Sequence, residues 1–182
     1  ILALQVHSGA AMKVQFKDLV LTRLPKSEVA VTGAPIAENP AVVPNWIWDA
    51  SAGADEELFF RREVALQEAP KSAVLHVTAD NNFRVYVNGE KVGESASWES
   101  PRRLDVTKLL RAGNNAIAVH AWNDGGPAGM CAQLAWRAGS ASGVVATDAA
   151  WRVGSDDPDG WDRAGFDDAK WGAATVICAL GE

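Results

Sequence analysis

The chain has 182 residues, enough for one well-cored domain of about 150 residues plus an appendage. Its formal net charge is −6, with acidic residues scattered and no basic stripe, which argues against nucleic acid or an anionic membrane surface as partner. No apolar stretch reaches the length of a bilayer span, and the outstanding bias is eight tryptophans, residues suited both to thick β cores and to sugar-stacking platforms.

The chain opens at Ile1 on residues that already read as a strand, without an initiator methionine or leader, and so reads as a piece of a longer polypeptide. Apolar and polar residues then alternate from Met12 to Leu21 and stop at Leu24-Pro25. Residues 25–45 hold four prolines among Gly, Ala and Asn and read as a linker or irregular lead-in. Beyond it the pattern predicts short strands at 46–48, 58–66, 72–78, 84–87, 90–92, 116–123, 129–137, 150–154 and 174–180. Trp46 and Trp48 should share one face of their strand, with Ile47 on the other, so that at least one indole is core. Asn88-Gly89 predicts a hairpin, because both central positions of a type I′ turn need positive φ. Residues 105–111, ended by Gly113, are the one helical candidate, of two turns at most, and 167–170 can form a further turn. Regular short strands without helical periodicity predict an all-β antiparallel sandwich or barrel. Cys131 and Cys178 sit in strand-like runs and can form one disulfide or remain two buried thiols.

Residues that could carry chemistry are few. Asp55-Glu56-Glu57 and Asp156-Asp157-Pro158-Asp159 lie in turn-like stretches, whereas a glycosidase needs two carboxylates held rigidly across a cleft. Asp156, Asp157 and Asp159 could converge on a structural calcium ion, but the spacing of a calcium loop is absent, so no cofactor or metal is expected. No nucleophile elbow occurs, and His76 and His120 alternate with apolar residues as hydrogen-bonded strand positions do. Residues 123–129 are glycine-rich, yet a strand rather than a helix follows, so they are no phosphate cradle and read as a wide turn or, alternatively, a ligand-lining loop.

Two resemblances cover the chain. Trp46-Ile47-Trp48, Phe60-Arg61-Arg62-Glu63-Val64 and Ala79-Asp80-Asn81-Asn82-Phe83-Arg84-Val85-Tyr86-Val87-Asn88-Gly89 are followed by Leu104-Asp105-Val106-Thr107, Gly113-Asn114-Asn115-Ala116 and Trp122-Asn123-Asp124-Gly125-Gly126. With a tail marked by Trp151, Trp161, Phe166-Asp167-Asp168 and Trp171, this order resembles the galactose-binding-like module at the front of bacterial α-L-rhamnosidases. The resemblance implies a jelly-roll antiparallel β-sandwich over residues 46–182, with Trp151 and Trp171 structural. Leu4-Gln5-Val6-His7-Ser8-Gly9 and Val14-Gln15-Phe16-Lys17-Asp18-Leu19 resemble instead the last strands of a 3-keto-disaccharide hydrolase-like domain. Residues 1–25 would then be the tail of an upstream concanavalin-like jelly roll, joined by 26–45, with any role for His7 belonging to the parent protein.

What these resemblances imply is a non-catalytic accessory module of a secreted carbohydrate-active protein, extracellular or periplasmic, whose partners are a carbohydrate and neighbouring domains of its own polypeptide. A ligand-free structural spacer and a fragment of a glycoside hydrolase or 3-keto-disaccharide hydrolase are the alternatives. Trp98 among small polar residues, Trp122 beside Asn123 and Asp124, and Trp161 in an Asp/Gly-rich loop are the candidate stacking platforms. Asp80 and Asn82 could face the same end of the sandwich and take sugar hydroxyls, although Asp and Asn at a strand entrance more often cap turns.

Overall fold

A computed structural model describes residues 42–50 and 56–181. The chain divides into two units, Ile1–Ala34 and Pro35–Glu182, and every described residue belongs to the second. The readings for residues 1–25, His7 included, and for most of the lead-in lie outside the described residues.

The described residues form twelve strands and no helix: β1 (Asn45–Trp48), β2 (Glu57–Leu66), β3 (Ser72–Asp80), β4 (Asn82–Val87), β5 (Glu90–Ser95), β6 (Arg102–Asp105), β7 (Gly113–Trp122), β8 (Gly129–Ala138), β9 (Ala141–Ala146), β10 (Arg152–Gly154), β11 (Gly172–Ala173) and β12 (Thr175–Ala179). They make two six-stranded sheets with every pairing antiparallel. Sheet A runs β12-β1-β8-β3-β6, with β9 also on β8; sheet B runs β11-β10-β2-β7-β4-β5.

Period-two alternation builds the core between them. On β3, Ala73, Leu75, Val77 and Ala79 point inward; on β7, Ile117, Val119 and Ala121 do the same. They meet Ile47, Phe60, Phe83, Val85, Met130 and Leu134, all essentially inaccessible to solvent. Each large apolar side chain so buried contributes about 1.5–3 kcal/mol, which is what holds the two sheets face to face.

The hairpin forms where predicted: Asn88 has φ 52° and Gly89 φ 86°, the double positive φ of a type I′ turn. The Asn88 amide also donates to the Leu109 carbonyl (2.8 Å) and to Asn115 Oδ1 (2.9 Å), tying the turn to the β6–β7 connection. That connection is not the predicted helix. Val106 donates to Ala73 O, Thr107 Oγ1 accepts from Ala73 N, and Val106 and Leu110 plug the core, so tertiary bonds and packing take the place of a second helical turn.

Three strands escape the sequence pattern, β6, β9 and the two-residue β11. β6 begins with Arg102-Arg103, and β9 is Ala-Ser-Gly-Val-Val-Ala, a run with little alternation. Gly143 in β9 is demanded by packing, since a Cβ there would stand 2.3 Å from a ring carbon of Trp136. Trp46 and Trp48 do not share a face. A register shift falls between Trp46 and Ile47; Trp48 enters the core 5.4 Å from Phe60, while Trp46 lies outside, over Gly129. Cys131 on β8 and Cys178 on β12 have β1 between them, about 9–10 Å of backbone separation, too far for a disulfide, and both thiols are free. Burial pushes the Cys131 thiol up to about 11.

Candidate functional site

The outer faces of the two sheets are finished differently. Sheet B is covered by the segment after β10. Trp161 there is only 6% exposed and packs on Phe59 (5.0 Å), Tyr86 (5.6 Å) and Trp171 (6.1 Å). Arg61 of β2, 1% exposed, staples the segment down: its guanidinium donates to the Trp161 and Arg163 carbonyls and to Glu63 and Asp168, and faces the Phe166 ring at 5.3 Å. Burial raises the Glu63 carboxyl, but the Arg61 hydrogen bond, the Gly165 amide and the Arg61 charge together hold it below its ordinary value. Trp161 is therefore a structural indole and not the exposed platform expected from its loop.

Trp122 belongs to this face too. The Arg84 guanidinium stands 5.0 Å over its ring, and His120 lies against it at 5.0 Å and 41°, itself stacked on Phe59 at 4.4 Å. The Arg84 guanidinium thus already takes up a face of the Trp122 ring that a sugar would stack on. Burial lowers the His120 pKa, outweighing the opposing pull of Glu57 at 3.5 Å.

Sheet A keeps an open outer face. His76, Thr78 and Asp80 alternate outward along β3 and pair with Gln133, Cys131 and Gly129 of β8. Trp46 covers Gly129 so closely that a Cβ would stand 2.8 Å from its Cε3. From the β5–β6 connection Trp98 comes over the same face, its carbonyl accepting from Thr78 Oγ1 at 2.8 Å while its ring stays 37% exposed. Trp46 and Trp98, with Pro44 and Leu180 beside them, wall a groove of about 530 Å³ floored by His76, Thr78, Cys131 and Gln133. Ligand clefts run from roughly 300 to 1,000 Å³, mostly apolar with a few convergent polar groups, and this groove has that make-up.

The remaining predicted residues organise its end. Asp80 is the next outward position after Thr78, and partial burial raises its carboxyl above the usual range. Asn81 donates to Asp80 (2.8 Å) and accepts from the Asp124 amide (2.7 Å); Asn82 donates to Asp124 (2.7 Å). These bonds tie the β3–β4 turn to the β7–β8 loop. Asn123 is 3% exposed and its amide reaches the Gly126 carbonyl at 3.4 Å, so it shapes the loop from within. Of the residues the sequence singled out, Trp98 lines this groove, Asp80 lies next along β3, and Asn82 and Asp124 bond to each other in the adjoining turns. Sequence reasoning missed Trp46, Thr78 and Gln133, although the alternation His76-Thr78-Asp80 among apolar neighbours already marks a polar outward row.

A second, larger cleft of about 1000 Å³ lies beside β2 and β10, lined by Asp49, Glu56, Glu57, Asp156, Asp167 and Trp171. Among the described residues no group of three His, Cys, Asp or Glu is arranged to hold a metal ion, and no helix is long and apolar enough to cross a membrane.

Comparison with known proteins places this architecture. No family model matches the chain. It is 34% identical over 162 residues to the α-L-rhamnosidase of Streptomyces avermitilis, covering 81% of this chain and 16% of the enzyme. The structure of that enzyme, complexed with L-rhamnose, superposes with a TM-score of 0.70 over 76% of this chain. The sandwich resembles an α-L-rhamnosidase domain. A lectin from Pleurotus ostreatus, solved in complex with GalNAc, matches equally well at 30% identity and TM-score 0.70, over 76% of this chain and 43% of the lectin. The chain spans about one-sixth of the rhamnosidase and less than half of the lectin.

Proposed function

We propose that this chain is a carbohydrate-binding accessory module that contributes no catalytic residues of its own to an extracellular or periplasmic glycoside-acting protein. The observation that carries the reading is the groove on sheet A, where Trp46 and Trp98 stand as walls above outward-facing Thr78, with Asp80 the next outward position along β3. Trp46 and Trp98 both line this groove, so a pyranose ring held in it can set its C–H faces against indole. Thr78 and Asp80 then offer oxygens to the sugar hydroxyls. The likeness to a rhamnosidase solved with L-rhamnose and a lectin solved with GalNAc supports a sugar as ligand and names the two to try first.

Stacking plus a few hydrogen bonds gives affinity in the micromolar to millimolar range, about −4 to −8 kcal/mol. Isothermal titration with L-rhamnose and with GalNAc should show saturable binding to one of them, lowered at least tenfold by Trp98→Ala. An unaltered affinity in the Trp98→Ala variant would remove the groove from the reading. No binding of either sugar, or of a glycan array, by the folded chain would leave a structural spacer between domains.

A further inference from the structure

The groove continues beyond the place of a single ring. Three rows cross the outer face of sheet A: Gly129–Asp80 under Trp46, then Cys131–Thr78 beside Trp98, then Gln133–His76–Arg103 reaching across β8, β3 and β6. Cross-strand partners share a face, and Arg103, paired with His76, is exposed. From Asp80 to His76 is four residues, about 14 Å at the rise of a strand, longer than one pyranose needs. The third row is an amide, an imidazole and a guanidinium side by side; the Gln133 Nε2 already donates to the Val42 carbonyl at 2.7 Å, and its Oε1 can accept from a hydroxyl. His76 and Gln133 floor the groove, and Glu99 and Pro101 edge it. The lining carries the Glu99 carboxylate and no cation, and Arg103 at the end of the row offsets that charge.

We propose that Gln133, His76 and Arg103 form a second sugar subsite, so that the ligand of this module is a neutral oligosaccharide lying along β3 rather than a single residue. This rests on the sugar-binding reading of the Trp46/Trp98 groove and extends it by one or two rings. A neutral chain fits because a uronate or sulfated unit in the groove would set its anion against Glu99, the carboxylate of the lining, whereas hydroxyls bond to the polar groups of the row without that repulsion. The third row hydrogen-bonds only the second and third rings, so its contribution is absent with a monosaccharide.

The test compares ligands of different length on the same protein. L-rhamnose is titrated against a neutral rhamnose-terminated trisaccharide, and GalNAc against a neutral GalNAc-terminated trisaccharide. The subsite predicts that the trisaccharide of the accepted sugar binds at least fivefold more tightly than the monosaccharide. Arg103→Ala and His76→Ala should bring it back toward the monosaccharide value; Arg103 is on the surface, so its variant reads binding even if the His76 variant folds poorly. Equal affinities for monosaccharide and trisaccharide would overturn the subsite while the accessory reading stands. Failure of every sugar to bind the folded wild-type chain would overturn both.

Discussion

The outer faces of sheets A and B start from the same material, an antiparallel sheet bearing aromatic residues, and end in opposite states. On sheet B the covering segment presses its own Trp161 and Trp171 together against the sheet, and Trp122 is capped by Arg84. On sheet A, Trp46 and Trp98 stand at the sides of a groove and no segment among the described residues closes it. A buried guanidinium marks the difference, beside the aromatic cluster of Phe59, Trp161 and Trp171. Arg61 offers donors to two carbonyls and two carboxylates of sheet B and its cover, and sheet A has no counterpart among the described residues. An indole is therefore a core element or a binding wall according to whether something polar is stapled down over it.

Breaking the staple should give the largest effect. Arg61→Met leaves Asp168 and Glu63 without their partner in a half-buried setting and should lower stability by about 3–5 kcal/mol, measured by chemical denaturation. The two classes of tryptophan should then separate. Trp161→Ala removes a buried ring and should destabilise by about 3–5 kcal/mol, whereas Trp98→Ala, at a part-exposed position, should cost clearly less stability and act on sugar affinity. Equal losses of stability for the two variants would erase the distinction between the faces.

Gly129→Ala probes the open face from below. Its Cβ would stand 2.8 Å from Trp46 Cε3 and push the indole off its seat, at a cost of about 1–3 kcal/mol together with reduced sugar binding. Acid should loosen sheet B's cover. Glu63 titrates below its ordinary value of 4.5 in the folded chain, so its contribution is complete above that value and is lost as pH falls through the depressed one. In Glu63→Gln the corresponding part of the acid-induced destabilisation should disappear from a pH series of melting temperatures. A variant as acid-sensitive as the wild type would show that Glu63 does not anchor the cover. Chromogenic glycosides should meet no turnover from this chain, and hydrolysis by it would restore the acidic cleft beside β2 as a catalytic candidate.

Much of the frame was legible in the residues. The alternation of β3 and β7, the Asn88-Gly89 turn and the apolar positions that became the core all follow from local pattern, because pleat and turn geometry act over two to four residues. β6 and β9 were not legible, since paired arginines and small residues carry no alternation; their pairing partners make them strands. The 105–111 stretch has a helical pattern, and only its bonds to Ala73 and the burial of Val106 and Leu110 show why it stays a single turn.

By itself the sequence determined that the chain is an all-β sandwich with indoles to spare, because period-two patterning and turn chemistry are local properties. Which indoles are packed away and which wall an open groove was decided only by tertiary structure. Trp46 meets Gly129, Trp98 hangs on Thr78, and Trp122 lies under Arg84, pairs separated by 20 to 83 positions that only the strand order brings together.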